Sequence, residues 1–261
     1  MFQLGIIASG SKGNCLLVRG NEGAILLDAG LTGKKIAEGL DQLKIETAEL
    51  KALIISHEHS DHIRGAGIVC RKYQIPLYIT RETYACSAGK FGNLPAGIKF
   101  FEPGKTFRIN DLIIIPFASS HDAVESSNFK ILQDGNSNSQ LGVATDCGYF
   151  TRLMKERLME CTTLVLESNH DEIALINGPY RWDLKQRVKS RQGHLSNHQA
   201  VSVVSQIIHP GMKRLILAHL SEQNNTPELA YEEMRKFLAE IQHELELQVA
   251  SQYQVLPLQD I

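Results

Sequence analysis

Short apolar runs separated by turns fill the first sixty residues of the chain. They predict four strands, and the first two are joined by a hairpin turn in the Gly- and Ser-rich segment at residues 9–14. Apolar residues at helical spacing across Lys34–Leu43 predict a helix between the third and fourth strands. The predicted strands are Gly5–Ala8, Cys15–Val18, Ala24–Leu27 and Leu53–Ile55.

The rest of the chain continues this alternation of strands and helices. Polar stretches at residues 89–97 and 134–140 predict turns, and a basic loop is expected before residue 197. The predicted strands are Leu77–Ile79, Phe107–Ile109, Leu112–Phe117, Ser127–Leu132, Leu141–Thr145, Thr163–Glu167 and Arg214–Ala218. The predicted helices are Gly65–Tyr73, Phe150–Glu160, Asn197–Ile208 and Pro227–Glu244.

This order predicts an α/β protein in which two mixed β-sheets face each other and helices cover their outer sides. The second part of the chain resembles the first in its order of elements, so two similar halves are expected within one domain spanning residues 1–261. A layered domain of this length is large enough to bury a substantial core.

Composition and charge narrow the class of protein. Hydrophobic residues make up 43% of the chain and charged residues 21%, as in an ordinary globular enzyme. The formal net charge is −2, so any affinity for phosphate must come from a local patch rather than from the field of the whole protein.

Cysteine usage and the N-terminus predict a cytoplasmic protein. The five cysteines include no Cys-x-x-Cys pair, which argues against a disulfide framework and against a zinc knuckle. The N-terminus lacks the basic and apolar regions of a signal peptide, and no apolar run approaches the ~20 residues needed to cross a bilayer. We therefore expect no membrane partner.

The segment His57-Glu58-His59-Ser60-Asp61-His62 carries the strongest chemical signal. It follows a predicted buried strand, and a tight loop at a strand end can aim His57 and His59 at one metal ion. Asp61 and His62 then face a second ion. Two ions about 3.5–4 Å apart can activate water and clamp both the attacking and the leaving oxygen of a displacement. Nitrogen and oxygen ligands without thiolate suit Zn or Mn.

Four further polar residues end or closely follow apolar strands, where strands fix positions and loops leave them open. We predict His121 and His219 as metal ligands and Asp146 as a carboxylate that bridges both ions. Asp28 is predicted to hydrogen-bond a ligand histidine from behind. The alternative interpretations are a surface histidine at 121, a helix N-cap at Asp146 and a simple turn residue at Asp28.

Taken in order, these residues resemble the five motifs of the metallo-β-lactamase superfamily, and the likeness runs from Asp28 to His219. The resemblance implies a four-layer αββα sandwich with a dinuclear site at the edge of its two sheets. The ligand sets that it implies are His57, His59 and His121 for one ion and Asp61, His62 and His219 for the other, with Asp146 bridging.

Several shorter segments resemble the bacterial YycJ/WalJ branch of this superfamily, whose members are regarded as DNA exonucleases acting from 5′ ends. The segment His194-Leu195-Ser196-x-x-Gln199-Ala200 is also similar to the part of ribonuclease Z that supplies a histidine near the scissile phosphate. That likeness implies that His194 assists the leaving oxygen. The segments that resemble the branch are residues 9–14, 120–123, 167–171, 193–197 and 218–221.

A cationic segment at Arg181–Arg191 is the clue to the substrate, since it leads directly to His194 and contains a single acid. Cationic side chains beside a dinuclear site attract phosphodiester oxygens, and an aromatic ring can stack on a base. The alternative interpretation is a solvated face, with Lys12 an ordinary surface lysine. The predicted substrate-binding residues are Lys12, Arg181, Trp182, Lys185, Arg187, Lys189 and Arg191.

These features predict a dinuclear-metal phosphodiesterase, and the resemblance implies 5′-to-3′ exonuclease action on duplex DNA. Asp61 is expected to orient the nucleophile or accept its proton, and His194 to assist the leaving group. Glu167 and His170 are expected to support ligands from behind or to contact substrate. Two alternatives stay open. One is another hydrolase of the same type, such as an RNA-processing nuclease, a thioesterase or a lactonase. The other is a nucleic-acid-binding protein with a decayed site.

Overall fold

A computed structural model describes the backbone of residues 1–261 and every side chain except that of residue 137. The strands are β1 (Gln3–Ala8), β2 (Cys15–Arg19), β3 (Ala24–Leu27), β4 (Leu50–Ile54), β5 (Leu77–Ile79), β6 (Ile98–Phe100), β7 (Phe107–Ile109), β8 (Leu112–Ala118), β9 (Ser127–Gln133), β10 (Asn136–Ala144), β11 (Thr163–Glu167), β12 (Arg214–Ala218), β13 (Glu246–Val249) and β14 (Leu256–Asp260). The helices are α1 (Gly33–Gln42), α2 (Ser60–Ile63), α3 (Ala66–Tyr73), α4 (Arg81–Phe91), α5 (Arg152–Leu158), α6 (Glu172–Asn177), α7 (Trp182–Lys189), α8 (Asn197–Ile207) and α9 (Pro227–Glu240), with a 3₁₀ turn at Thr47–Glu49.

The strands assemble into two seven-stranded mixed sheets with the same layout. The first sheet has the order β14-β1-β2-β3-β4-β5-β6 and the second has the order β7-β8-β9-β10-β11-β12-β13. In each order the first three pairings are antiparallel and the last three are parallel. The two similar halves expected from the sequence are therefore present, and β14 from the end of the chain completes the first sheet.

Three layers of buried apolar residues hold the sheets and helices together. The first lies between the first sheet and α1, α3 and α4, the second lies between the two sheets, and the third lies between the second sheet and α5, α8 and α9. The inner parallel strands β4, β11 and β12 are buried on both faces, so they form continuous apolar runs such as Leu215-Ile216-Leu217. This confirms the predicted four layers of helix, sheet, sheet and helix.

Helices α4, α6 and α7 lie where the sequence predicted turns or loops. Helix α4 extends to Phe91, inside the predicted turn, and its buried face consists of Thr83, Ser87 and Phe91. Small polar residues on the buried face hide the apolar period that normally indicates a helix. Helices α6 and α7 occupy parts of the predicted basic loop, and each has one buried residue, Leu175 in α6 and Val188 in α7. A helix that buries one side chain leaves almost no periodic signal.

Other boundaries moved because of local turns. Strand β10 begins at Asn136, since a tight turn with Gly135 at φ 75° reverses the chain directly after β9. Helix α9 ends at Glu240, and Gln242 then adopts a left-handed φ of 53°. None of the helices in the described residues combines the length and the apolar character needed to cross a bilayer.

Candidate metal centre

The candidate ligands lie in segments that follow strands of both sheets, and Asp61 and His62 belong to the short helix α2 rather than to the predicted tight loop. His57 follows β4, Asp146 follows β10 and His219 follows β12, while His121 lies in the loop between β8 and β9. All seven residues predicted as ligands belong to overlapping groups whose donor atoms lie within 4.8 Å of one another. The fold therefore brings together side chains that are separated by up to 162 residues of sequence, from His57 to His219.

The His57–His62 segment is held against the loop that follows β3. The backbone N–H of Ala29 donates to the carbonyl of His62 at 2.8 Å, and that of Asn14 donates to the carbonyl of Asp61 at 2.8 Å. A Cβ at Gly30 would lie 1.5 Å from the carbonyl oxygen of Asp61. Only glycine permits this approach, so Gly30 sets the path of the loop that carries the histidines.

Asp146 lies among the converging donor atoms. Oδ2 of Asp146 lies 3.3 Å from Nε2 of His62, and its Oδ1 lies 3.7 Å from Nε2 of His121. The donor atoms of the described residues form four overlapping groups. Two of them hold the residues of the two sets that the resemblance implies, His57, His59 and His121 in one and Asp61, His62 and His219 in the other. The other two contain Asp146, one with His57 and His62 and one with Glu167, His194 and His219.

Unsatisfied polar atoms inside the cluster fit bound metal ions. Nε2 of His57, Nε2 of His219 and Oδ2 of Asp146 are buried, and none has a hydrogen-bond partner among the described side chains. A buried polar atom left unpaired costs about 1–3 kcal/mol, so three together indicate a missing partner. Imidazole nitrogens and carboxylate oxygens are donors that suit Zn or Mn. The residues present therefore fit a pair of divalent ions.

Carboxylates behind the cluster fix the orientation of its imidazoles. Nδ1 of His62 lies 2.7 Å from Oδ2 of Asp28, which is the contact predicted for Asp28. Oε1 of Glu167 lies 3.1 Å from Nδ1 of His219 and 2.7 Å from Nδ1 of His194. In His62 and His219 the Nδ1 atom therefore donates to a carboxylate, and Nε2 is left for a metal ion.

Three residues of the site have a left-handed backbone, which is uncommon outside glycine. The φ angle is 61° at Asp28, 52° at Asp146 and 54° at His219. Each of them lies within two residues of the end of a strand, so the unusual angle turns the chain sharply and directs the side chain to the site. Backbone strain of this kind costs about 1–3 kcal/mol and is concentrated at functional sites.

Burial and neighbouring charges set the ionisation of the cluster. Burial alone would raise the pKa of Asp146, but His219 and His62 outweigh it and hold that pKa well below its ordinary value. Burial would lower the pKa of His219, but Asp146 and Asp61 raise it to about 10. Burial and then His62 lower the pKa of His57 well below its ordinary value. Protons on the cluster balance its ionised carboxylates, and metal ions can replace those protons.

Glu167 and His170, whose roles the sequence left open, lie in different surroundings. Glu167 is fully buried, and the facing His194 and His219 outweigh the effect of burial and lower its pKa to about 2. Burial lowers the pKa of His170 to about 4, and its Nδ1 has no partner among the described side chains. His170 is also absent from the groups of converging donor atoms in the described residues. Glu167 therefore supports the cluster directly, whereas His170 lies outside it.

A cavity of about 190 Å³ opens onto the cluster, and Asp61, His194 and part of α7 line it. Among the predicted substrate-binding residues, Arg187 lines this cavity, and its Nε donates to the carboxylate of Asp122. Lys12 lies outside this cavity, with its Nζ 2.5 Å from Oε2 of Glu222.

Three other cations of the Arg181–Arg191 segment are engaged at the surface. The guanidinium of Arg181 lies 3.3 Å from Asp183, and Lys185 donates to a backbone carbonyl at 2.6 Å. The guanidinium of Arg191 lies 4.0 Å from the centre of a tyrosine ring. Lys189 and Trp182 are exposed. The structure thus brings one cation of this segment to the cavity rather than the whole run.

Two polar residues that sequence reasoning left without a role contact the cluster. Nδ2 of Asn14 lies 3.2 Å from Nε2 of His62. The hydroxyl of Ser56 donates to Oδ2 of Asp28 at 2.8 Å and lies 3.0 Å from Nδ1 of His57. The only signal in the sequence was proximity, since Ser56 precedes His57 and Asn14 ends the Gly- and Ser-rich turn.

Comparison with known proteins agrees with this geometry. A family model described as the metallo-beta-lactamase superfamily matches residues 8–122. The chain is 36% identical over 236 residues to exodeoxyribonuclease YycJ of Bacillus anthracis, covering 90% of this chain and 88% of that protein. It is 38% identical over 242 residues to exodeoxyribonuclease WalJ of Streptococcus pneumoniae serotype 2 (strain D39), covering 92% and 89%.

Solved structures share the fold at lower identity. The crystal structure of the metallo-β-lactamase fold protein YhfI from Bacillus subtilis gives a TM-score of 0.73 at 17% identity, covering 98% of this chain and 99% of that chain. Human tRNase Z, short form, gives a TM-score of 0.67 at 14% identity, covering 97% and 98%. The chain belongs to the metallo-β-lactamase superfamily of metal-dependent hydrolases, in the branch of the YycJ and WalJ proteins.

Proposed function

We propose that this hydrolase is a dinuclear-metal phosphodiesterase that degrades duplex DNA in the 5′-to-3′ direction and works with Zn or Mn. The relatives at 36% and 38% identity are exodeoxyribonucleases, which supports DNA as the substrate. One observation carries the proposal. Nδ1 of His194 lies 2.7 Å from Glu167 and 3.9 Å from Asp146, which gives the ligand cluster a proton donor of its own.

The ligand cluster supports two ion sites. When bound, two divalent ions would lower the pKa of water and neutralise charge on the phosphoryl oxygens. The protein keeps the ligand atoms ready for them, because Asp28 and Glu167 hold the Nδ1 protons of His62 and His219. The proposed ligands are His57, His59 and His121 for one ion and Asp61, His62 and His219 for the other, with Asp146 bridging.

His194 is proposed as the residue that gives a proton to the leaving oxygen. The ionised Glu167 accepts a hydrogen bond from Nδ1 and orients the ring, so Nε2 is available to the substrate. Hydrolysis breaks the bond between phosphorus and the 3′ oxygen of the released nucleotide, and water supplies the oxygen that joins phosphorus. His194 returns a proton to the 3′ oxygen as that bond breaks.

Asp61 is proposed to orient the attacking water and to accept its proton. Its Oδ2 lies 3.4 Å from Nε2 of His62 and 3.5 Å from Nε2 of His219. Burial raises the pKa of Asp61, but His62 and His219 outweigh it and keep that pKa below its ordinary value. An ionised carboxylate that lines the cavity can hydrogen-bond a water molecule there.

The lining of the cavity favours a phosphodiester over a thioester or a lactone. Arg187 contributes positive charge and Tyr180 contributes an aromatic ring, the two groups that recognise phosphate and base. Among the described residues, Leu184 and Val188 are the apolar side chains of this lining. Two such residues do not form the apolar pocket that an acyl chain needs.

A cleavage assay tests the proposal. Protein reconstituted with Zn or with Mn is incubated with 5′-phosphorylated, 3′-end-labelled duplex DNA, and the Asp61→Ala variant is run beside it. We expect the parent to shorten the labelled strand stepwise. We expect the variant to lose turnover while circular dichroism shows an intact fold, because Asp61 lies at the surface of the cavity rather than in an apolar core.

Two outcomes contradict parts of the proposal. An Asp61→Ala protein that keeps full activity with both metals bound removes Asp61 from the mechanism. A parent protein that holds two metals per chain and leaves DNA intact is no DNA exonuclease. Labelled RNA and a thioester, assayed under the same conditions, then separate an RNA-processing nuclease from a small-molecule hydrolase.

A further inference from the structure

A second cavity, of about 510 Å³, has no residue of α7 in its lining. Ser11 and Asp61 line both cavities, so the two cavities lie next to each other at these residues. A DNA strand bound at Asp61 therefore has both cavities beside it. The residues that line the second cavity are Ser11, Lys12, Leu31, Thr32, Lys35, Ser60, Asp61, Arg64, Gln252 and Tyr253.

Two of the three cations that line the second cavity, Lys35 and Arg64, are unpaired in the part of the chain that the structure describes, whereas the third, Lys12, is held by Glu222. Among the described side chains, neither Lys35 nor Arg64 forms a salt bridge with a carboxylate, and both are exposed. By contrast, Arg187 of the first cavity is already paired with Asp122. Asp61 is the single acid of the second lining. An unpaired cation has its full charge and all its donors available for a phosphate.

We propose that Lys35 and Arg64 of this cavity bind the phosphate backbone of the cleaved DNA strand, in the part that remains after each nucleotide is released. The inference rests on the proposed function. His194, which gives its proton to the leaving oxygen, lines the first cavity and is absent from the lining of the second. The released nucleotide therefore belongs in the first cavity. The remaining part of the cleaved strand keeps the scissile phosphate and must leave the cluster in another direction. The second cavity provides that direction.

The 5′-to-3′ direction makes this assignment specific. In that direction the released unit is the 5′-terminal nucleotide, so the second cavity holds the nucleotides on the 3′ side of the cut. Tyr253 is 67% exposed at this cavity, with the ammonium of Lys12 5.9 Å from the centre of its ring, and the exposed part of the ring can stack on a base of that strand. Lys12 contributes less, because Glu222 and the hydroxyl of Tyr253 already hold its ammonium.

The test compares two substrates in the metal-loaded enzyme. One is a 5′-phosphorylated oligonucleotide, which reaches both cavities, and the other is bis(4-nitrophenyl) phosphate, which has no downstream nucleotides. One variant is the double substitution Lys35→Gln with Arg64→Gln. The other is the single substitution Arg64→Lys, which preserves the charge. The matched control is Lys34→Gln, because Lys34 is the exposed neighbour of Lys35 on α1 and lies outside the lining.

We expect the double variant to lose about 10- to 100-fold in kcat/KM on the oligonucleotide, mostly through KM, since each charge-assisted contact is worth roughly tenfold. Its salt dependence should weaken by about one to two units in the slope of log kcat/KM against log salt. Its metal content and its rate on bis(4-nitrophenyl) phosphate should equal those of the parent. Arg64→Lys should recover part of the loss, and Lys34→Gln should lose little.

Equal oligonucleotide kinetics in the double variant and in Lys34→Gln would overturn the inference, while cleavage by the parent leaves the proposed function standing. An equal loss on both substrates would overturn it too, since the change then acts on the cluster and not on downstream nucleotides. A parent enzyme that hydrolyses bis(4-nitrophenyl) phosphate but no oligonucleotide defeats the proposed function, and this is visible before any variant is compared.

Discussion

The two halves of the molecule have the same sheet layout but contribute to the site in different ways. The first half, β1–β6, supplies four candidate ligands from one six-residue segment, His57–His62. The second half, β7–β13, supplies His121, Asp146 and His219 one at a time from three separate loops. The first contribution depends on local geometry, whereas the second depends on how neighbouring strands are aligned.

Asp28 and Asp146 make the difference most visible. Asp28 follows β3 and Asp146 follows β10, which are matching strands of the two sheets, and both have a left-handed φ. Asp28 nevertheless lies behind the cluster and holds His62, while Asp146 lies among the converging donor atoms. Equivalent places in a repeated layout therefore put one carboxylate behind the donor atoms and the other among them.

Replacing the two aspartates separately is the strongest test of this comparison. Asp146→Asn should remove the carboxylate shared by both ion sites and lower turnover by about 10³-fold or more, with loss of bound metal. Asp28→Asn should lower metal affinity or activity by about 10–100-fold, as outer supports of metal ligands do. Metal analysis of the purified proteins and the cleavage rate check both. Equal losses in the two variants would show that the halves do not differ as the contacts indicate.

Two substrates with different leaving groups distinguish the proposed role of His194 from that of the ligands in the first half. His194→Ala should lower DNA cleavage by roughly 10²–10⁴-fold, the range of a lost proton donor. It should have little effect on bis(4-nitrophenyl) phosphate, because 4-nitrophenolate leaves without a proton. His57→Ala is the matched control, since it also removes one imidazole. It should slow the cleavage of both substrates, because it removes a proposed metal ligand. If His194→Ala slows both substrates equally, His194 acts on the cluster and not on the leaving oxygen.

Proton release distinguishes two histidines within each half, because neighbouring carboxylates outweigh burial and raise the pKa of His62 and His219, whereas burial lowers the pKa of His57 and His121. Asp146 and Asp61 outweigh burial and raise the pKa of His219 to about 10, so the metal-free protein carries a proton there at neutral pH. Burial keeps His57 neutral. Metal affinity should therefore rise with pH by about tenfold per unit for each proton displaced. Calorimetry in two buffers of different ionisation enthalpy counts those protons, and an affinity that is flat between about pH 6 and 9 would contradict the assignment.

The same shifts predict how the metal-free fold responds to pH. Because the pKa of His219 is raised, its contribution to stability is complete below its ordinary pKa of 6.5 and is lost as pH rises through about 10. Because the pKa of Glu167 is lowered, its contribution is present above its ordinary pKa of 4.5 and is lost as pH falls towards about 2. Thermal melts of chelator-treated protein across this range measure both, and Glu167→Gln should flatten the acid side.

The smallest expected effect concerns the loop that supports the first half. Gly30→Ala places a Cβ against the carbonyl of Asp61 and should destabilise the fold by about 1–3 kcal/mol, with weaker metal binding. Gly89→Ala is the matched control, since a Cβ there meets nothing within 4 Å and the residue lies in α4. It should be neutral or stabilise by about 0.4–1 kcal/mol. Denaturant unfolding measures both, and a neutral Gly30→Ala would contradict the role of this contact.

The sequence by itself determined the buried strands, the layered architecture and the whole set of candidate ligands. These features are local, because a strand shows its burial as a continuous apolar run and a loop at its end carries the polar residues. The four donors of His57–His62 needed no knowledge of the rest of the chain. Helices α4 and α7 escaped prediction for the same reason, since their apolar residues are too few to form a period.

The tertiary structure alone decided which histidines Glu167 holds, that His170 lies outside the cluster, and which cations are free. Glu167 holds His194 and His219, 27 and 52 residues further along the chain, because β11 pairs in register with β12 and the chain returns beside them. Arg187 turns out to be paired, whereas Lys35 and Arg64, on elements with no basic run, share a cavity. Contacts between distant residues follow from strand register and loop path, and neither is encoded in residue spacing.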